Sequence, residues 1–222
     1  MTPDPAAFIR DNLPLTEVPG TGVRLHLAGP GSGLGRLVPP GGAPYWAHAW
    51  PGGVALALHL RATGAAAGRR VMEWGQGSGL AAIAALLSSA ASAAAYDPDP
   101  LAAVATRLNA RANGVAVLAL GGTPEQGARS LLSPRRPGGA SAPPDCLVLA
   151  GDTFYDAAVA AASRRFLDAA AALGAAVLVG DLGRPHLPLD RLDPLASYPV
   201  RDLGDPPRAP ARAGRVFRWR PP

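Results

Sequence analysis

Three glycines, Gly75, Gly77 and Gly79, stand at alternate positions in VMEWGQGSGL, directly behind a short apolar run. Only glycine lets a backbone approach a ligand closely in any conformation, so this spacing suits a loop that wraps a nucleotide-like cofactor. What is missing narrows the choice. A dinucleotide fingerprint needs G-x-G-x-x-G, and position 80 holds Leu80. A phosphate-cradling loop needs Gly-Lys-Ser/Thr, and the chain has no lysine. About 20 residues further on, YDPDP places Asp97 where a carboxylate can accept both hydroxyls of a ribose. Asp99 suits the cap of the next helix instead. Glycine triplets also occur in plain turns, and YDPDP also reads as a solvated turn. The spacing between the two favours a cofactor site.

These residues need a frame to hold them. RVMEWG reads as a short strand ending in the glycine loop, LAAIAALLSS as a helix, SAAAYDPDP as a strand and LAAVATRLNARANG as a helix stopped at Asn113-Gly114. VAVLALGG, CLVLAGD and AAVLVGD read as strands, with the helix AAVAAASRRFLDAAAALG between the last two. The Ala-rich SAAAY prefers helix locally, and its strand assignment rests on context. Alternating strands and helices with continuous apolar strands predict a parallel sheet covered on both faces. The glycine loop then lies at the topological switch point, where ligands bind. SPRRPGGASAPP (133–144) reads as a flexible surface insertion, and SYPVRDL and GRVFRWR as a closing antiparallel strand pair. Upstream, PYWAHAWPGGVALALHLRATG reads as a helix ended by Gly64. Residues 1–44 form a Pro- and Gly-rich extension with a strand or hairpin at Val23–Ala28, and 45–222 form the main domain.

Composition excludes several classes. The 222 residues are 48% hydrophobic, enough for a full core without disulfides. The formal charge is +5, yet all 21 basic residues are arginine, which with the Ala, Gly and Pro excess reads as coding bias. No basic run carries interleaved aromatics, which argues against a nucleic-acid partner. No apolar run approaches the roughly 18 residues of a membrane span, and MTPDPAAFIRDNLP lacks the pattern of a secretory signal. A soluble cytoplasmic monomer is expected, with the mitochondrial matrix as the alternative in a eukaryote. Cys146, inside CLVLAG, reads as a small buried hydrophobe. His26, His48, His59 and His186 are scattered without cysteine partners, so no metal site is expected.

The G-x-G-x-G loop resembles that of S-adenosylmethionine-dependent methyltransferases of the seven-strand class. PYWAHAWPGG (44–53), GQGSGLAAIAA (75–85), YDPDP, NARANGV (109–115), LAGDTFYD (149–156) and GDLGRP (180–185) together resemble the electron-transfer-flavoprotein β-subunit lysine methyltransferase family. Its bacterial relatives are often labelled nicotinamide N-methylase-like. The resemblance runs from about residue 40 to the C-terminus. PYW…WPGG and GDTFYD are its specific parts; the glycine loop is shared by the whole superfamily.

The resemblance implies a Rossmann-like, doubly wound α/β fold of seven strands, mostly parallel with an antiparallel C-terminal strand pair. It implies an N-methyltransferase that uses S-adenosyl-L-methionine and takes a protein lysine as acceptor. The cofactor would meet Glu73, Gly75, Gln76, Gly77, Gly79, Asp97 and Pro98, with Trp50 at its border and Trp46 nearby. Ordinary packing beside a Pro-rich turn is the other reading of both tryptophans. Asp152 and Tyr155 would be catalytic, the first orienting the acceptor amine and the second bonding to it or walling its channel. Phe154 and Arg184 would face the protein substrate; Arg184 also reads as a plain surface arginine. Three features depart from the family: Glu73-Trp74 replaces Asp-Leu, Gln76 replaces a small residue, and LGGTPE lacks an acidic residue that often meets adenine. Two alternatives stay open, a small-molecule N-methyltransferase and a catalytically silent binding module.

Overall fold

The computed structural model describes residues 3–38, 41–121, 145–206 and 208–221. The insertion at 133–144 and most of LGGTPE lie outside the described residues. A short helix α1 (Pro5–Asn12) leads into the antiparallel hairpin β1 (Leu15–Val18) and β2 (Val23–His26). The main unit then runs α2 (Pro51–Thr63), β3 (Arg70–Trp74), α3 (Leu80–Leu87), β4 (Ser92–Tyr96), α4 (Pro100–Ala112) and β5 (Leu118–Leu120). It continues with β6 (Cys146–Gly151), α5 (Ala157–Ala172), β7 (Ala176–Asp181), β8 (Leu192–Val200) and β9 (Arg212–Trp219).

The main sheet has seven strands in the order β5-β4-β3-β6-β7-β9-β8. Strands β3 to β7 pair in parallel, and β9 runs antiparallel between β7 and β8. The chain winds outward from β3 to β5, then returns to β6 and winds the other way. The ends of β3 and β6 therefore flank the switch point.

Side chains alternate across the strands with the expected period. Val71, Leu147 and Leu149 point into the core beneath α2 and α3, where Leu56, Leu60 and Ile83 meet them. Met72, Trp74, Val148 and Ala150 point to the opposite core beneath α5, with Phe166, Leu167 and Trp219. A third cluster joins the N-terminal extension to α4 through Phe8, Ile9, Leu13, Leu37, Trp46, Ala102 and Ala105. The extension is thus packed onto the main unit, with Trp46 at its centre.

Helix α2 crosses the ends of β6 and β7 at glycine-to-glycine distance. A Cβ on Gly151 would lie 2.8 Å from the Gly53 nitrogen, and one on Gly180 would collide with the Gly52 carbonyl. Any larger residue at these positions would push the helix off the sheet. This contact brings the first turn of α2 against the open edge of the sheet.

Candidate active site

The loop after β3 is built for close approach. Gly75, Gly77 and Gly79 have φ of +68°, +46° and +78°. Gly79 is the N-cap of α3, and a Cβ there would lie 2.6 Å from the Thr106 methyl. The backbone N–H groups of Gly75 and Gln76 both donate to the Tyr96 carbonyl, at 2.9 and 3.0 Å. Thr106 supports the loop from α4, its hydroxyl 3.5 Å from the Gly77 carbonyl.

Asp97 stands at the end of β4, beside this loop. One carboxylate oxygen accepts from the Gly77 N–H at 3.0 Å, the other from the Asp99 N–H at 2.9 Å. Each oxygen keeps a second lone pair, so the carboxylate can brace the loop and still accept hydroxyl protons. Burial holds its pKa above the ordinary aspartate value. Asp99 caps α4 as expected, accepting from the Leu101 N–H at 2.8 Å. Pro98 is exposed at the turn between them.

Glu73 is turned toward the first turn of α3. It is buried, and its two oxygens accept from the Ala81 and Ala82 N–H groups at 3.3 and 2.9 Å, capping the first turn of α3. A carboxylate suits the positive end of a helix. Burial still dominates and pushes its pKa up to about 8. The neighbouring Trp74 turns away from the loop. Its ring stacks between Phe166 (4.0 Å) and Tyr96 (4.9 Å), and its N–H donates to Ser163 at 3.0 Å. The exchange of Leu for Trp is accommodated in the core, clear of the cofactor loop. Gln76 is buried; its amide nitrogen lies 3.4 Å from the Leu120 carbonyl, and its Oε1 has no protein partner among the described residues.

GDTFYD leaves β6 through a sharp turn, with Asp152 at φ +52°. Aspartate tolerates this left-handed conformation better than most residues. The Asp152 side chain is buried and accepts from the Gly52 N–H of α2. Its other oxygen receives the Arg184 Nε at 3.1 Å. Arg184 in turn clasps Asp202 through both terminal nitrogens, each at 3.1 Å. Burial, with the charge of Asp181 second, raises the Asp152 pKa to about 6, while Arg184 pulls the other way. Asp181 itself is fully buried, and burial raises its pKa. One of its oxygens accepts from the Gly183 and Arg184 N–H groups at 2.6 Å, and the other has no protein partner among the described residues.

Tyr155 lies on the open side, 41% exposed, its ring centroid 5.3 Å from that of Tyr45. Tyr45 is 5.6 Å from Trp50, which is 5.9 Å from His48, so four rings line the edge. The Trp50 N–H donates to the Tyr45 carbonyl at 2.8 Å. Burial, with Tyr45 and Asp97 adding to it, pushes the Tyr155 pKa up to about 12. Burial also lowers the pKa of His48, favouring the neutral ring.

The structure thus brings together Gly75, Gly77, Gly79, Asp97, Trp50, Asp152 and Tyr155 at one sheet edge. Three of the expected site residues lie inside the fold, away from its open side. Trp46 is buried within the cluster on α4, its Nε1 without a protein partner among the described residues, and Tyr45 is the neighbour that faces outward. Phe154 is fully buried, 6.1 Å from the Trp219 ring, and does not face a substrate. Arg184 is held inside the fold by two aspartates and is not a free surface cation. Sequence reading passed over Tyr45, His48, Thr153 and Asn109. Tyr45 stands inside the quoted PYW motif, which was the signal available for it. The Thr153 hydroxyl is buried without a protein partner among the described residues, and its methyl would lie 2.8 Å from a Cβ on Gly75.

These features fit an adenosine cofactor with an amino-acid tail. Gly75–Gly79 bends through three positive-φ glycines, Asp97 keeps spare lone pairs beside it, and among the described residues Gln76 and Thr153 each carry a buried oxygen with no protein partner. Among the described residues no group of three or more His, Cys, Asp and Glu could hold a metal ion. No helix of the described residues is long and apolar enough to cross a membrane.

The family model of the ribosomal protein L11 methyltransferase (PrmA) matches residues 54–127, from α2 past the glycine loop and Asp97. The crystal structure of TrmN from Thermus thermophilus, 21% identical, superposes with a TM-score of 0.50 over 76% of this chain and 50% of that one, a likeness of fold. Fold and site together define a seven-strand, S-adenosylmethionine-dependent methyltransferase. An electron transfer flavoprotein beta subunit lysine methyltransferase of Xenopus laevis is 36% identical over 208 residues, 89% of this chain and 80% of its own length. Its counterpart in Danio rerio is 40% identical over 143 residues, 64% of this chain and 51% of that protein. This chain belongs to the electron transfer flavoprotein beta subunit lysine methyltransferase family. It spans about half the length of the fish, rat, mouse and human relatives it matches.

Proposed function

We propose that this enzyme methylates the side-chain amine of a lysine on a folded protein, with the electron transfer flavoprotein β-subunit or a similar protein as the acceptor. Family membership supports the substrate class. The observation that carries the reading in this chain is the open aromatic edge: Tyr45 and Tyr155, 44% and 41% exposed, stand beside Trp50 above the cofactor loop. A long flexible amine can reach between such rings from a protein surface, and its cationic form is attracted to their faces.

S-adenosylmethionine, when bound, supplies an electrophilic methyl group on a sulfonium. Gly75–Gly79, Asp97, Gln76 and Thr153 are the residues that would hold it. The chain's own work is to position and desolvate. In-line displacement needs the amine lone pair about 3 Å from the methyl carbon, with water excluded. A lysine amine has a pKa of about 10.4 and arrives protonated. Desolvation between the rings favours its neutral form. Tyr155 keeps its own proton at neutral pH, because burial raises its pKa to about 12. Its hydroxyl therefore orients the amine through a hydrogen bond and does not serve as an anionic base. Asp152, bound to the Gly52 N–H and to Arg184, fixes the start of α2 and with it Trp50, the residue that caps that helix. In this arrangement Asp152 is a positioning residue, and its partner is an arginine of the same chain in place of the substrate ammonium.

Incubation of the purified enzyme with the β-subunit and radiolabelled cofactor tests the substrate. Label on a lysine of that protein supports the proposal. Label found solely on a small amine such as nicotinamide would replace it with the metabolite reading.

A further inference from the structure

Asn109 joins two parts of the molecule that are far apart in sequence. It lies in α4 and is fully buried. Its side-chain oxygen accepts from the His26 N–H of β2 at 2.8 Å. Its side-chain nitrogen donates at 2.9 Å to the carbonyl of Ser78, inside the glycine loop. One helical turn later, Asn113 repeats the first half of this pattern. Its oxygen accepts from the Arg24 N–H at 2.9 Å and its nitrogen donates to the Arg24 carbonyl at 2.6 Å. The remaining side-chain bond of Asn113 runs to the Asn109 carbonyl, at 2.7 Å, and stays within α4 and its cap.

The match has a geometric cause. Alternate residues of a strand are about 6.8 Å apart, and residues four apart on a helix rise about 6 Å. Asn109 and Asn113 therefore meet Arg24 and His26 in step, and α4 completes the free edge of β2 as a third strand would. A plain anchor would end there. Of the two asparagines, it is Asn109 that extends the connection to the cofactor loop. A second link runs beside it: the Ala28 N–H donates to the Ala47 carbonyl at 2.8 Å, and the turn carrying Ala47 covers Gly77, where a Cβ would lie 3.6 Å from the Tyr45 carbonyl.

We infer that Asn109 is a positioning residue for the cofactor, coupling the docking of the N-terminal hairpin on α4 to the bound shape of the glycine loop. The inference rests on the placement of S-adenosylmethionine at that loop. Coupling is reciprocal, so cofactor binding slows opening of the hairpin as much as hairpin docking tightens the cofactor.

The test compares three variants of the full chain by titration with S-adenosylhomocysteine and by amide hydrogen exchange at residues 23–26. Asn109→Ala removes both bonds. Asn109→Asp keeps the acceptor for His26 and loses the donor to Ser78. Asn113→Ala loosens the hairpin and leaves the loop alone. Losing the loop bond should raise the dissociation constant about tenfold in both Asn109 variants, and Asn113→Ala should change it by less than about threefold. The KM for cofactor should follow, with kcat nearly unchanged. In the unaltered protein the ligand should slow exchange at residues 23–26, and in Asn109→Asp this slowing should vanish while basal protection remains. If Asn109→Ala does not fold, Asn109→Asp decides. Unchanged affinity in Asn109→Asp, or ligand-dependent slowing at residues 23–26 that persists in that variant, would overturn the inference. No binding by the unaltered protein would overturn the cofactor placement itself, a separate and recognisable failure.

Discussion

Asp152 and Arg184 form a part-buried ion pair at 3.1 Å, their side chains 7% and 22% exposed. The pair ties the end of β6 to the loop after β7, and through Asp202 to the loop that joins β8 and β9. It also explains how two acidic residues, Asp152 and Asp181, coexist at neighbouring strand ends. Replacing Arg184 by methionine should lower the unfolding free energy by about 3 kcal/mol, the cost of leaving a buried charge unpaired. Adding Asp152→Asn to that variant should recover part of the loss. Urea unfolding of the single and double variants measures the coupling; full additivity would show that the pair contributes nothing.

Asp97 braces Gly77 and faces the same edge. Asp97→Ala should weaken S-adenosylhomocysteine binding by about 1–3 kcal/mol, as expected for a lost bond to a charged group. Calorimetric titration reads this directly, and wild-type affinity would remove Asp97 from the site.

The frame and the cofactor edge were legible in the sequence because they rest on local signals. Apolar runs fixed the strands, Gly75, Gly77 and Gly79 marked the loop, and Asp97 followed at the expected interval. The antiparallel closing pair was legible too, though β8 begins earlier than the alternation in SYPVRDL suggests. Helix α1 was missed, despite Asp4 capping it and Pro5 opening it, because the surrounding Pro and Gly masked an eight-residue helix. What sequence could not supply was side-chain direction. Trp46 and Trp50 sit four residues apart, yet one is core and the other lines the edge. Phe154 and Tyr155 are adjacent and point to opposite sides. Nor does any local pattern reveal that Arg184 meets Asp202, or that Asn109 reaches both His26 and Ser78; those pairings exist only once the sheet is assembled.

Glu73 gives stability a pH dependence of definite sign. Its folded pKa, about 8, lies above the ordinary 4.5. The folded protein therefore holds this proton more tightly than the unfolded chain. Its stabilising effect is complete below the unfolded pKa and is lost as pH rises through about 8. The stability difference between wild type and Glu73→Gln should shift steadily against wild type across that interval. Thermal unfolding of both proteins over the same buffers checks it. A shift in favour of wild type would mean that the cap on α3 holds the ionised form.

Tyr155 separates ring from hydroxyl. Tyr155→Phe keeps the contact with Tyr45 and should lower kcat by about tenfold or less, the scale of one hydrogen bond. Tyr155→Ala opens the aromatic edge and should cost more, about a hundredfold, by letting water and misplaced amines in. Cofactor affinity should change little in either. Steady-state rates with titration of the cofactor distinguish these outcomes, and equal losses in the two variants would assign the effect to the hydroxyl alone.

The central claim is transfer of a methyl group to a protein lysine. The most direct measurement is intact-mass and peptide mass spectrometry of electron transfer flavoprotein β-subunit after incubation with this enzyme and S-adenosylmethionine, alongside a parallel reaction with nicotinamide. The account predicts added methyl groups confined to lysine residues of the β-subunit, strongly reduced by Asp97→Ala, and no methylation of nicotinamide. An unmodified β-subunit together with methylated nicotinamide would contradict it.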